Sequence, residues 1–167
     1  YPFIRNTVGS MEFGGCFLNK RLNRNNDGGT TRRTTDIFQL ATTVLFQNPV
    51  QNFALAPNNL EDVSPVCMDY MKTIPTTWDE TCFIDGYPGK YVVLARRHGG
   101  TWYVAAINAG KETLKLKLDL EMFAGKTVSL YKDDKKGAPQ LVPLKVKENG
   151  KVQLEILPQG GAVLVNK

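Results

Sequence analysis

The chain has 167 residues, 42% of them apolar and 22% charged, and a formal net charge of +5. That is one ordinary globular domain or two small ones. Seven Lys/Arg face six Asp/Glu in residues 1–75, and fourteen face ten in residues 76–167. So spread a charge lacks the concentrated basic face of a nucleic-acid binder, and no apolar run reaches the roughly 18 residues of a membrane span.

Tyr1 to Val8 is apolar at its start and polar at its end, the form of a buried parallel strand. Gly9 to Arg33 is rich in Gly, Asn and Arg, with no period. A loop this long points to function or disorder. Thr34 or Thr35 can cap a helix whose apolar face is Ile37, Leu40, Ala41, Val44 and Leu45, with Pro49 ending it. Val50 to Ala56 reads as a second buried strand, broken at Pro57-Asn58-Asn59. Ser64 caps a further helix with Pro65 in first position and Cys67, Tyr70, Met71 and Ile74 as its stripe. Residues 1–75 therefore read strand, loop, helix, strand, helix, and such crossovers imply parallel strands.

Beyond residue 75 the pattern changes. Trp78 to Ile84, Lys90 to Arg97 and Thr101 to Asn108 read as a three-strand meander. Gly86-Tyr87-Pro88-Gly89 and Gly99-Gly100 supply its turns. Leu114, Leu116, Leu118 and Leu120 alternate with Lys115, Lys117 and Asp119, as a strand with one wet face does. Thr127 to Tyr131, Leu141 to Val146 (an edge, because of Pro143), Val152 to Ile156 and Ala162 to Val165 complete eight strands, the pattern of an antiparallel sandwich or barrel. Asp133 and Asp134 sit among Lys132, Lys135 and Lys136 in what reads as a solvated turn. Cys16, Cys67 and Cys82 lack metal-site spacing and read as buried free thiols, with at most one disulfide possible. The chain starts at Tyr1 with no visible leader, which reads as a processed chain or an excised piece.

Four segments, in order, resemble glycoside hydrolase family 97. YPFIRNTVGSMEF (Tyr1 to Phe13) is similar to the family's PFTRN.xGPMDYTPG. LFQNPVQNFALAP (Leu45 to Pro57) resembles xxxSPLQxLAD.P, IPTTWDE (Ile74 to Glu80) resembles xPTxWDET, and YVVLARRHGGTWYVAAIN (Tyr91 to Asn108) resembles YVVxARRxGDxWYIxxxN. The resemblance implies an α+β chain. Residues 1–75 would be the last two βα units of a (β/α)8 barrel and residues 76–167 a C-terminal antiparallel β-sandwich, both the end of a longer α-glucosidase or α-galactosidase. It also implies a periplasmic or secreted protein of a Gram-negative bacterium, with calcium in the parent enzyme and none in this chain. One departure is Glu12, where the family usually has aspartate, with the Tyr-Thr-Pro that follows missing.

Cleavage of a glycosidic bond needs two carboxyl groups flanking it. By the resemblance, both lie upstream of Tyr1, so no catalytic or metal-binding residue is assigned and the chain alone is expected to be inactive. Barrel sites sit at the C-terminal ends of strands, which makes Arg5, Asn6 and Glu12 the candidates for contact with an oligosaccharide or α-glycoside. Arg32 and Arg33 read as solvated or interdomain. Trp78, Asp79 and Glu80 read as a domain junction, His98 as an exposed turn residue, and Trp102 and Tyr103 point to opposite faces of their strand. Two parallel strands and their helices, without the rest of a barrel, would leave the Ile37 to Leu45 face partly uncovered, so in the isolated chain residues 1–60 are expected to be either mobile or rescued by self-association, beside a well-protected 78–165. The competing reading is a non-catalytic carbohydrate-binding or cell-surface interaction module.

Overall fold

The structure is a computed structural model that describes residues 1–13, 15–21, 28–55, 60 and 62–166. Its centre is a six-stranded antiparallel sheet in the order β3-β4-β5-β10-β7-β8. The strands are β3 (Glu80–Tyr87), β4 (Tyr91–His98), β5 (Thr101–Asn108), β7 (Thr127–Asp133), β8 (Pro139–Lys145) and β10 (Gly161–Val165). A separate antiparallel ribbon pairs β6 (Leu114–Asp119) with β9 (Lys151–Ile156).

Strand alternation divides this sheet between two cores. One set of side chains, including Val93, Ala95, Val104, Ala106 and Leu164, packs against Leu116, Leu118, Val152, Leu154 and Ile156 of the ribbon. The ribbon's other face carries Lys115–Glu155 and Lys151–Asp119 pairs at 3.4 and 3.6 Å, exposed enough to contribute little. The alternate set, including Val92, Leu94, Tyr103, Ala105, Val163 and Val165, packs against the N-terminal segment.

That segment supplies α2 (Asp36–Leu45) and α3 (Pro65–Met71), capped by Thr35 and Ser64 as their spacing predicts. Ile37, Leu40, Ala41, Val44 and Leu45 are completely buried on the sheet. The expectation of an uncovered helix face is overturned, because the sandwich offers its second apolar face as the missing layer. At the contact, Gly161 leaves room for the first turn of α2. A Cβ there would lie 2.8 Å from backbone atoms of Ile37 and Phe38.

The expected strand Tyr1 to Val8 is instead a helical turn, α1 (Arg5–Val8), with Tyr1, Ile4 and Val8 exposed. Among the described residues no strand lies beside it. Its backbone bonds close locally, from Ile4 N to Tyr1 O at 3.1 Å and Asn6 N to Tyr1 O at 3.3 Å. A parallel pair does form, but between β1 (Cys16–Phe17), inside the expected loop, and β2 (Phe53–Ala54). The second strand is thus shorter than Val50 to Ala56, and Ala56, Pro57, Asn58 and Asn59 lie outside the described residues. The first meander strand is displaced too: β3 runs through Gly86 and Tyr87, and the turn follows at residues 88–90. Gly86 makes this possible at φ +153°, where a Cβ would meet the Phe3 ring at 2.9 Å. A bulge between Phe83 and Asp85 takes up the register. Pro143 does lie on an edge strand, β8.

Candidate functional site

The structure brings two of the three candidate residues together. Arg5, at the start of α1, and Glu12, in the segment after it, line an open cavity of about 960 Å³ with Ser10, Met11, Phe13, Asn48, Pro49, Val50 and Asn52. The cavity is shaped by backbone ties: Met11 N donates to Gln47 O at 2.9 Å, and Cys16 N to Asn52 O at 2.8 Å. Asn48, which is buried, accepts from Val50 N at 3.1 Å and donates from Nδ2 to Phe13 O at 3.4 Å. The third candidate, Asn6, is not on this wall. Its Nδ2 reaches the carbonyls of Gly9 and Gln47 at 3.4 and 3.5 Å, and its Oδ1 is buried without a partner. A cavity with one cation, one carboxylate and two amide side chains can hydrogen-bond a neutral polyhydroxylated ligand and orient it. With a single carboxylate it does not by itself provide the pair needed for glycoside cleavage.

Other polar residues settle into structural roles. Arg32 is nearly buried and holds the loop to α2. It donates to Asp36, to Thr34 O and, from Nε at 3.2 Å, to Asn19 O. Of the two roles its sequence neighbourhood suggests, solvated or interdomain, the solvated one is thereby excluded. Asp79 and Glu80 both pair with Arg97, at 3.5 and 3.2 Å. His98 is exposed, its Nδ1 2.9 Å from Thr77 O. Tyr103 is buried against Trp78, and Trp102 packs on the opposite face, so the two form no common platform. Cys16 and Cys67 are buried thiols and Cys82 is partly exposed, all three unbridged. Burial pushes the Cys67 thiol up to about 12 and that of Cys16 higher still, which keeps both protonated and unreactive.

Two charged residues were not legible as buried. Asp133 is not in a solvated turn. It lies under the N-terminus of α2, where Oδ2 accepts from Thr35 Oγ1 at 2.8 Å and from Gly161 N at 3.2 Å. Burial raises its pKa to about 6 against the lowering effect of those two bonds. Arg96 is buried on the helix-covered face of β4, and burial lowers its pKa to about 10. The signal for Arg96 was available: Arg96 and Arg97 are adjacent on a strand, so one of them had to face each core.

Among the described residues, no three His, Cys, Asp or Glu side chains converge as a metal ion requires.

A two-layer antiparallel sandwich with helices on its outer face and a polar cleft beside it defines a β-sandwich domain that carries an N-terminal helical segment. The chain belongs to the glycosyl-hydrolase 97 C-terminal, oligomerisation family, whose family model matches residues 77–166. A retaining alpha-galactosidase of Bacteroides thetaiotaomicron is 29% identical over 178 residues, covering 98% of this chain and 26% of that protein. A probable retaining alpha-galactosidase of Streptomyces bingchenggensis is 34% identical over 111 residues, 65% of this chain and 16% of that protein. A crystal structure of a beta-arabinopyranosidase is 84% identical, with a TM-score of 0.96 over 99% of this chain and 26% of that one. The chain thus spans about a quarter or less of the length of each of these three relatives.

Proposed function

We propose that this chain is the C-terminal part of a longer retaining glycosidase acting on pyranosides of galacto configuration, with β-L-arabinopyranosides as the first class to test. The single observation that carries this reading is the 84% identity over 99% of the chain to the beta-arabinopyranosidase. The chemistry of the relatives agrees. A β-L-arabinopyranoside is an α-D-galactopyranoside without the C6 hydroxymethyl group, so one ring configuration serves both. Retention calls for two carboxyl groups about 5–5.5 Å apart, and both belong to the polypeptide upstream of Tyr1.

In this reading residues 1–75 are the closing βα units of a (β/α)8 barrel, and residues 76–167 the accessory sandwich. Arg5 and Glu12 face the sugar or its leaving group from the rim, Asn6 stiffens that rim from behind, and the parent's calcium is held upstream. The parent is exported to the periplasm or beyond. The sandwich self-associates, as the family's description suggests. Phe83 and Tyr87, each 60% exposed on edge strand β3, supply the apolar surface for it.

The test is a rate comparison on the longer polypeptide with p-nitrophenyl β-L-arabinopyranoside, α-D-galactopyranoside and α-D-glucopyranoside. The expected order of kcat/KM is arabinoside, galactoside, glucoside. Failure to cleave any of the three, or a preference for the glucoside, would overturn the reading. Light scattering of this chain, with Phe83→Ser beside it, tests the association: a concentration-dependent dimer or larger species is expected, reduced by the substitution.

A further inference from the structure

Lys117, Lys145, Lys147 and Lys151 come from three separate stretches of the sequence. The fold gathers them around one cleft of about 650 Å³, where the β6–β9 ribbon meets the end of β8. All four are exposed. Leu118 and Val152, both buried, and the half-buried Leu144 give the cleft an apolar floor. Asp119 is the one carboxylate on the wall, so four ammonium groups less one acid leave an excess of three positive charges. Lys151 pairs with Asp119 at 3.6 Å, and Lys145 donates to Gly125 O at 2.6 Å. Lys117 and Lys147 take part in no ion pair among the described residues. Asn149 and Gln153 add amide groups to the rim.

The volume is that of a ligand cleft, and the arrangement of charge narrows the ligand. Lys117 and Lys151 are diagonal neighbours across the ribbon, about 7–8 Å apart. Lys145 and Lys147 flank the buried Val146 and leave the backbone about 6–7 Å apart. A compact anion such as phosphate meets only one or two such charges, and no helix N-terminus lies on the wall to concentrate the field on it. A nucleic acid needs aromatic or arginine faces to stack on, and the wall has neither. An acidic peptide that adds to edge strand β8 loses a backbone donor at Pro143. A chain with anionic groups at intervals, an apolar face and neutral hydroxyls fits all parts of the cleft. An oligosaccharide of uronate rings has these three features: C–H groups on a ring face, hydroxyls at the ring edge and one carboxylate per ring.

We infer that this cleft binds an acidic saccharide chain, its carboxylates met by separate lysines and its rings laid over Leu118, Leu144 and Val152. The choice of a saccharide rests on the glycosidase reading, whereas the choice of an anion rests on this chain alone. The cleft shares no residue with the Arg5–Glu12 cavity. It therefore acts as an accessory hold on a charged part of a polysaccharide, away from the bond being cut.

The test is a titration of the ¹⁵N-labelled 167-residue chain with a short oligogalacturonate at neutral pH, followed by amide NMR. Saturable shifts are expected around Leu118, Lys145, Lys147 and Val152. Raising the salt from about 0.1 M to about 0.3 M should weaken binding several-fold, because exposed charges are screened over about 10 Å or less. Lys117→Gln combined with Lys147→Gln changes two exposed side chains and breaks no ion pair. It should weaken binding roughly ten-fold, the sum of two exposed charge contacts. A neutral galacto-oligosaccharide of the same length, and poly-L-glutamate of the same charge, should each bind about ten-fold more weakly or worse. Equal binding by the neutral sugar would mean that the lysines read nothing, and equal binding by polyglutamate would give the cleft to an acidic protein. Either result overturns the proposal, as does the absence of a saturable shift. None of them alters the rate comparison on the three aryl glycosides, so the two readings fail separately.

Discussion

Gly161→Ala tests whether the N-terminal helix and the sandwich are one cooperative body. Gly161 opens β10 directly beneath the first turn of α2. The added methyl would stand 2.8 Å from Ile37 O and 2.8 Å from the Phe38 N and Cα. These are backbone atoms of a helix end and cannot rotate aside. Ordinary carbon contacts lie near 3.5–4.0 Å, so α2 must retreat by about 1 Å. Retreat loosens five completely buried side chains, Ile37, Leu40, Ala41, Val44 and Leu45. It also stretches the Thr35 to Asp133 bond of 2.8 Å and the Thr35 N to Gln159 O bond of 3.1 Å. Overpacking of this kind costs about 1–3 kcal/mol, and a weakened bond to a charged group adds about 1 kcal/mol. The expected loss is therefore about 3 kcal/mol. At a urea m-value of about 2 kcal/mol per molar, the midpoint falls by about 1.5 M. Urea unfolding followed by tryptophan fluorescence measures this, since Trp78 and Trp102 lie on opposite faces of the sheet. Gly100→Ala is the control, because nothing lies within 4 Å of its added methyl. If the two variants unfold at the same midpoint, α2 is not seated on the sheet as described.

Leu40→Ala removes a completely buried side chain and should cost about 2–5 kcal/mol in the same assay. Asp133 has a folded pKa of about 6, raised by burial, against about 4 when unfolded. A carboxyl raised in this sense contributes stability that is fully present below about pH 4 and lost as pH rises through about 6. The loss is on the order of 2 kcal/mol, and Asp133→Asn should flatten the stability profile across that window. With Cys16 and Cys67 buried and Cys82 partly exposed, a thiol reagent should modify Cys82 first in native protein and all three only in denaturant. This chain alone should not hydrolyse aryl α-glycosides or β-L-arabinopyranosides. Activity that vanished in Glu12→Gln would place the catalytic carboxyl within it.

Residues whose partners are near in sequence were legible. Ser64 was identifiable as a cap, and Thr35 as one of two adjacent candidates, because a cap bonds within its own first turn. Thr101 to Asn108 was bounded by its glycine turn, and Leu114 to Asp119 announced its wet face. The failures are of another kind. Tyr1 to Val8 has the apolar character of a strand, but a strand exists only beside another strand, and composition cannot name the neighbour. Gly86 reads as a turn residue on its own. Only the Phe3 ring packed over it shows that the glycine serves a close approach within β3. Arg5 and Glu12 line one cavity because they are near in sequence. The amides opposite them, Asn48 and Asn52, come from beyond α2.

Arg96 and Asp133 show where pattern reading could have gone further. Val92 to Ala95 is apolar at four consecutive positions, so β4 is buried on both faces, and the next residue cannot escape a core by parity alone. Arg96 shares the parity of Val92 and Leu94 and is buried with them, while Arg97 reaches acids at the strand's end. Asp133 shares the parity of Tyr131, whose ring packs on Tyr70 of α3 at 5.0 Å. It therefore faces the helices, and a helix N-terminus is where a buried carboxylate is best tolerated. Asp133 finds such an end in the Thr35 cap for Oδ2, while its Oδ1 stays buried without a partner. Arg96 meets the Trp78 indole and no acceptor. Two charges buried by the same strand arithmetic are thus both left partly unpaired, the anion at Oδ1 and the cation at Nε and Nη1.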